Sequence, residues 1–330
     1  MTTGRPRTGG SAERRRVVTT SPTGVLVVGS ASADVTSFST RLPKPGETIL
    51  GDDFTLVLGG KGANQAVAAA RAGAPTRMLG CIGSDLFADL VADGLAKAGV
   101  ELDLIHRVPG STGIAHIRVD GAGQNDIVVI PLANSALSEE HLDAAFSAGA
   151  PARVLLTQLE IPIPLALSAL RRAREAGLTT ILDPAPAAHL DEAIWPLLDI
   201  VVPNESEAAF ITGVDVVDEA SAIAAGQWFV DRGVRSALIT LAAAGAVLVT
   251  ADGSEHFDAM PVDAIDTTAA GDAFAGYLGS ALALGLTLEQ AIPRAMAAGA
   301  IAVTRRGASP SIPSSDEVDA FLAERQGSSA

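Results

Sequence analysis

Asp266-Thr267-Thr268-Ala269-Ala270-Gly271-Asp272, continued by Ala273-Phe274-Ala275-Gly276-Tyr277-Leu278, is the stretch that decides the fold. Small residues lead to a Gly and then an Asp, and an apolar helical pattern begins there. The order predicts a tight turn that delivers backbone N–H groups and a carboxylate to a helix N-terminus. Such an end binds anions, because its first N–H groups lack intrahelical partners and the macrodipole is positive there. A carboxylate beside an anion site makes chemical sense if Asp272 takes a proton from a hydroxyl that attacks a bound phosphoryl group. A plain N-capping aspartate is the structural alternative.

The 330 residues suffice for one large α/β domain or two smaller ones with a substantial core. A chain that is 48% hydrophobic and 18% charged fits a compact soluble protein. The formal net charge of −15 argues against nucleic acid as the main partner. An acidic protein that handles phosphate must therefore build a local positive site from helix ends, a few basic residues and metal ions. The single Cys81 excludes an internal disulfide and a multi-Cys zinc site, and its apolar surroundings predict a buried, inert thiol. No uninterrupted apolar run reaches the ~18 residues of a membrane span. Residues 1–21 carry Arg5, Arg7, Arg14, Arg15 and Arg16 and no apolar leader core. They read as a disordered extension of a cytoplasmic protein.

Gly24 to Gly29 is a short apolar run ending in Gly, the pattern of a buried strand. The spaced glycines of a dinucleotide fingerprint do not follow it, which leaves an oxidoreductase poorly supported. Further along, apolar runs at 78–82, 153–157, 179–183, 199–202 and 236–240 alternate with helical patterns at 64–72, 85–98, 163–176, 205–212 and 218–232. That alternation predicts βαβ units and a mainly parallel sheet. A hairpin is expected at 247–258, and helices at 272–285, 288–304 and 315–325. The β-rich pieces 35–58 and 113–130 interrupt the alternation and are assigned to a small β-sheet lid. Residues 22–34, 59–112 and 131–330 then form the core. Ligands bind at the carboxyl ends of such strands, and a lid there excludes water.

A second motif, Gly59-Gly60-Lys61-Gly62-Ala63-Asn64-Gln65-Ala66, enters an Ala-rich helix. It is not a Walker A loop, since Gly62 stands where Ser or Thr must follow the Lys. Together with Asp266–Asp272 it resembles the two signatures of the ribokinase-like (PfkB) sugar kinases, over roughly residues 24–325. The resemblance implies a three-layer α/β/α core with a small β lid. It also implies transfer of the ATP γ-phosphate to the 5-hydroxyl of D-ribose. Asp272 matches the general base, and Ala269, Ala270 and Gly271 match the anion hole. Ser32, Asp34, Gly60, Lys61, Gly62, Ala63, Asn64 and Glu160 match sugar-binding positions. Asn204, Thr240, Leu241, Ala242, Ala243, Ala244, Gly245 and Met296, with Gly271 and Asp272, match the nucleotide site.

Glu207, in Asn204-Glu205-Ser206-Glu207, is implied to serve Mg²⁺ indirectly; as chemistry alone, Asn204 and Glu207 also read as a capping box. A K⁺ site is implied at Asp266, Thr268, Ala302, Arg305, Gly307 and Ser311, where a structural turn is the competing view. Dimerisation through the lid sheets is implied as well. Three positions depart from the family pattern: Ser32 for Asn, Ala242 for Gly, and Met296 for a His found in some members. Ser offers one donor where the amide offers two and an acceptor, so another sugar or a nucleoside stays open as acceptor. Ala242 is the one residue that suggests a sugar-binding regulator without turnover.

Overall fold

Gly24-Val25-Leu26-Val27-Val28 has apolar side chains on both faces and is buried throughout, as a central parallel strand must be. A computed structural model describes Met1 and residues 24–122, 124–147 and 152–328, with the backbone alone for 326–328. The expected tail, residues 1–21, lies outside the described residues apart from Met1.

From β1 (Gly24–Val28) the chain runs through β2 (Ser32–Phe38), β3 (Asp53–Gly59), α1 (Lys61–Arg71), β4 (Thr76–Ile82) and α2 (Leu86–Lys97). Next come β5 (Val100–Glu101), β6 (Ile105–Arg107), β7 (Gly113–Val119), β8 (Asn125–Ile130), α3 (Glu139–Ser147), β9 (Ala152–Thr157), α4 (Ile163–Glu175) and β10 (Thr179–Leu182). The last part holds β11 (Ile200–Val201), α5 (Glu205–Thr212), α6 (Glu219–Val230), β12 (Ser236–Thr240), β13 (Ala246–Thr250) and β14 (Gly253–Phe257). It ends with α7 (Ala270–Ala283), α8 (Leu288–Ala302) and α9 (Ser315–Ser328).

The ten-stranded central sheet has the order β14-β13-β12-β11-β10-β9-β1-β4-β5, with β6 also on β4. It is parallel except for β13 and β14 at one edge. Alternate side chains of β1 enter two separate cores. Val25 and Val27 join α1, α2, α7, α8 and α9, whereas Leu26 and Val28 join α3, α4, α5 and α6. The molecule is thus a three-layer α/β/α core, and burial on both faces explains the uninterrupted apolar strands. Cys81 on β4 is buried, and burial pushes its thiol up to about 11. No helix among the described residues is long and apolar enough to cross a membrane.

A second, four-stranded sheet has the order β3-β2-β7-β8. Its strand β2 starts at Ser32, three residues before the expected lid boundary, so Ser32 and Asp34 sit on the small sheet and not in the core. Helix α3, β5 and β6 were not expected from sequence. The two strands are too short to show a period, and α3 buries only Leu142 and Ala145.

Helices α1 and α7 lie against each other through small residues. A Cβ at Gly276 would overlap that of Ala68 and stand 2.5 Å from the Gln65 carbonyl. Gly276→Val should therefore cost about 1–3 kcal/mol by overpacking, read as a lowered denaturation midpoint. Unchanged stability would contradict this contact.

Candidate active site

Small residues let several chain segments converge at the carboxyl ends of β1, β9 and β10. A Cβ at Gly62 would stand 2.6 Å from the Ser30 nitrogen, and one at Gly29 would overlap Gln158 Oε1. Gly60, the residue before α1, has φ +88°, a conformation glycine adopts without strain. It supplies no side-chain cap, and distant groups serve the helix end. Lys61 N–H donates to Glu160 Oε2 at 2.9 Å, Gly62 N–H to Ser30 Oγ at 3.3 Å, and Ser30 Oγ–H to Glu160 Oε2 at 2.6 Å. Glu160 is therefore fixed by the helix end and does not face solvent as a free loop residue.

Asp272 is buried in the first turn of α7. Asn64 Nδ2 donates to its Oδ2 at 2.9 Å and Gln65 Nε2 to its Oδ1 at 3.1 Å. The same Gln65 nitrogen donates to Asp183 Oδ2 at 2.7 Å, and Gln158 Nε2 donates to Gln65 Oε1. Ala269, with φ +59°, turns the chain into α7 without a side-chain cap. The Ala270 N–H reaches Thr267 C=O at 3.3 Å, while the N–H groups of Gly271 and Asp272 have no backbone partner. A Cβ at Gly271 would meet nothing within 4 Å, so space stands open at this helix end.

On the small sheet, Asp34 is buried above Gly59, where any Cβ would overlap its carboxylate. Asn134 clamps Ala31, the residue before β2, accepting from its N–H at 2.9 Å and donating to its C=O at 3.1 Å. Two buried acceptors here, Asp34 Oδ1 and Asn64 Oδ1, have no hydrogen-bond partner. Leaving such groups unpaired costs about 1–3 kcal/mol each, so the arrangement suits a ligand that brings hydroxyl donors.

Asn204 and Glu207 form the capping box of α5, with both arms at 2.9 Å. Thr240 lies beside this cap, bridged to Asn204 and bonded to Pro203 C=O at 3.0 Å. Ala242 to Ala244 make a tight exposed turn closed by Leu241 N–H to Gly245 C=O at 2.8 Å. Ala242 keeps φ +46° despite its methyl, a strained choice where glycine would be free. Met296, on α8, is partly buried against the core. Farther round, Asp266 accepts from Thr268 N–H and Oγ1–H at 2.9 and 2.6 Å and from Gly307 N–H at 2.9 Å. Arg305 N–H bonds Ala302 C=O at 3.1 Å, and Ser311 Oγ–H bonds Ala308 C=O at 2.8 Å. Asp266, Thr268 and Gly307 are thus joined directly. Ala302 instead ends α8, Arg305 follows it in the loop, and Ser311 lies in the short 3-10 turn Ser309–Ser311, with no hydrogen bond to that group among the described residues. No hydrogen bond joins the Ala242–Gly245 turn to the Asp272 cluster among the described residues.

Sequence reading did not single out Ser30, Gln65, Asn134, Gln158 or Asp183. Asp183 had a signal: it follows β10 as Glu160 follows β9, at the mouth of a parallel sheet. The amides carry no charge pattern and become visible only through their partners.

Asp34, Glu160, Asp183, Asp272 and Lys61 act on one another here, and Glu207 acts on Asp183 and Lys61 from α5. Burial, then the charges of Glu160 and Asp272, raise Asp34 to about 7. Burial likewise raises Asp183 to about 7, against the pull of Lys61. Asp272 is raised by burial although Lys61, Asn64 and Gln65 oppose the shift. Burial alone would lower Lys61, but Asp183, Asp272, Glu160 and Glu207 outweigh it and hold the ammonium charged. Asp266 moves the other way: burial would raise it, and the hydrogen bonds from Thr268 and Gly307 hold it low.

These shifts set a sign for stability. Unfolded carboxyls titrate near 4, so between about pH 4 and pH 7 the native chain holds protons at Asp34 and Asp183 that the unfolded chain has released. Their contribution is present at low pH and lost as pH rises through that window. Asp183→Asn should therefore melt higher than the parent at pH 8, with the gain shrinking toward pH 4. A variant less stable than the parent at pH 8 would contradict this.

A family model described as pfkB family carbohydrate kinase matches residues 22–315. A ribokinase of Haemophilus influenzae is 41% identical over 299 residues, covering 90% of this chain and 98% of the relative. The crystal structure of a ribokinase from Thermotoga maritima superposes with TM-score 0.84 at 37% identity, covering 91% of this chain and 99% of that one. An Arabidopsis thaliana ribokinase complexed with ribose and ATP gives TM-score 0.83 at 31% identity, covering 91% and 98%. With its α/β/α core, its second sheet and these matches, the chain belongs to the pfkB family of carbohydrate kinases.

Proposed function

We propose that the chain transfers the γ-phosphate of ATP to the 5-hydroxyl of D-ribose, giving ribose 5-phosphate and ADP. The observation that carries this reading is Asp272, buried on the first turn of α7 and held by Asn64 and Gln65 beside unspent N–H groups. In the proposed step the hydroxyl oxygen attacks the γ-phosphorus and its proton passes to the Asp272 carboxylate. The bond to the β-phosphate oxygen breaks, and ADP leaves with the electron pair. The Ala269–Gly271 turn, through the Gly271 and Asp272 N–H groups, receives the negative charge that develops on the phosphoryl oxygens.

The sugar would lie among Ser32, Asp34, Gly60, Lys61, Gly62, Ala63, Asn64 and Glu160. The unpaired acceptors of Asp34 and Asn64 would take its hydroxyl hydrogens. ATP would follow Asn204, Thr240 and Leu241 to the Ala242–Gly245 turn, with Met296 offering the base an apolar contact. The residues fit the two implied ions. Glu207 spends Oε2 on the Asn204 N–H and keeps its other oxygen for a water of Mg²⁺. When bound, that Mg²⁺ would neutralise charge on the phosphates. Asp266 accepts three hydrogen bonds out of about four lone-pair sites, leaving room for K⁺ with Thr268, Ala302, Arg305, Gly307 and Ser311.

Coupled ADP release should show turnover that depends on D-ribose. Asp272→Asn should lower kcat by about 10²–10⁴-fold while the protein stays folded. Equal kcat in parent and variant would remove Asp272 as base. A second acceptor is favoured by one observation only, the short side chain of Ser32 at the sugar position. A higher specificity constant for 2-deoxy-D-ribose, reversed by Ser32→Asn, would establish that reading instead.

A homodimer through the small sheets, working in the cytoplasm, completes the proposal. It is supported by β8, an edge strand on which Ile127, Val128, Val129 and Ile130 are all exposed. Sedimentation should give a dimer that Val128→Glu/Val129→Glu dissociates; a monomeric parent at micromolar concentration would contradict it.

A further inference from the structure

Gln65 and Gln158 are fully buried and touch no solvent, yet they occupy the ground beneath the reacting carboxylate. Gln65 reaches from α1, Gln158 follows β9, Asp183 follows β10, and Asp272 opens α7. Chemistry fixes the orientation of both amides. The end of Gln65 that faces Asp183 and Asp272 meets acceptors, so it must be the NH₂ group, with one hydrogen for each carboxylate. Its other end is then a carbonyl and needs a donor. Gln158 Nε2 is that donor. Gln158 Oε1 is left buried without a partner, in space that only a glycine at position 29 keeps open.

A buried amide with an orphaned oxygen is a costly way to fill a core. An apolar side chain of the same volume would avoid the cost. What the apolar residue cannot do is hold Gln65 against a flip. Were Gln65 to flip, its carbonyl would face two carboxylates, and Asp272 would lose one of its two amide donors.

We propose that Gln158 is a positioning residue that acts through Gln65, locking the amide that orients the Asp272 carboxylate toward the acceptor hydroxyl. This rests on the reading of Asp272 as base. The other charged groups facing Asp272 are Asp183, Lys61 at the start of α1, Glu160 after β9 and Asp34 on β2, with Glu207 beyond Lys61. Gln158→Met and Gln158→Glu change none of them.

The two variants separate orientation from packing. Gln158→Met keeps the volume and removes the donor. Its kcat should fall by about 10- to 100-fold, the scale of a small misplacement of a reacting group, with the acid limb of the kcat–pH profile moved to higher pH and KM for ATP unchanged. Gln158→Glu keeps both volume and polarity. While protonated, the introduced carboxyl donates to Gln65 Oε1 as the native amide does. Once ionised it demands a donor and turns Gln65 round, so activity should fall as pH rises over a range where the parent holds its rate. That new limb is read within one folded protein, so a poorly folded Gln158→Met does not rescue the idea. Parent-like profiles in Gln158→Glu would overturn it. If Asp272→Asn abolishes turnover and the Gln158 variants match the parent, this inference fails alone. If Asp272→Asn stays active, the proposed base fails with it.

Discussion

A carboxylate has been taken out of water and kept usable, and the rest of the structure follows from that constraint. Moving an isolated carboxylate into a low-dielectric interior carries a penalty of several kcal/mol even after relaxation. Asp272 meets it with one amide donor on each oxygen and with Lys61 nearby. Both amides come from successive residues of α1, which requires α1 and α7 to touch. Gly276 and Ala68 permit that approach. Gly29 and Gly62 do the same where α1 meets the end of β1. The offset is incomplete, which is why burial still raises Asp272, Asp183 and Asp34. Stability is given up to hold acids where hydroxyl-bearing ligands would satisfy them.

The parallel sheet makes this convergence possible. Successive βα units end on the same side, so residues just past β1, β9 and β10 share one mouth without being near in sequence. Ser30, Gln158, Glu160 and Asp183 arrive by that route. Helices α1 and α7 bring their N-termini to the same place. The small sheet adds Ser32 and Asp34 by continuing from β1 after three residues, and it returns through β3 directly into Gly60 and α1. One covalent excursion therefore carries both its own polar residues and the entry to the helix that holds Asp272.

Much of this was legible in the chain. The fold could be read because parallel strands are apolar on both faces and helices between them are long enough to show a 3.6-residue period. Helix 205–212 and strand 236–240 fall where the pattern puts them. Apart from Asp183 and the weakly buried α3, what escaped was short or uncharged. β5 and β6 have two and three residues, below any period. The start of β2 at Ser32 was hidden because Ser30-Ala31-Ser32-Ala33 has no strong β former, and tertiary pairing with Gly59 and Gly113 decides it. Asp34, Lys61, Glu160 and Asp272 announced themselves beside glycines and strand ends, whereas Gln65, Gln158 and Asn134 act through partners about 100 or more residues away in the chain. Ala242 shows the opposite limit. Its departure from glycine was visible, but only the structure shows that the turn keeps a positive φ regardless.

The most direct test of the account is the position of the transferred phosphate. Phosphorus NMR of the product formed from ATP and D-ribose, with coupling to the sugar protons resolved, distinguishes the possible esters. The account predicts a single phosphomonoester coupled to both C5 protons, because one buried carboxylate aimed at one hydroxyl leaves no other oxygen to activate. Phosphate on another sugar oxygen, or inorganic phosphate with the ribose intact, would contradict it.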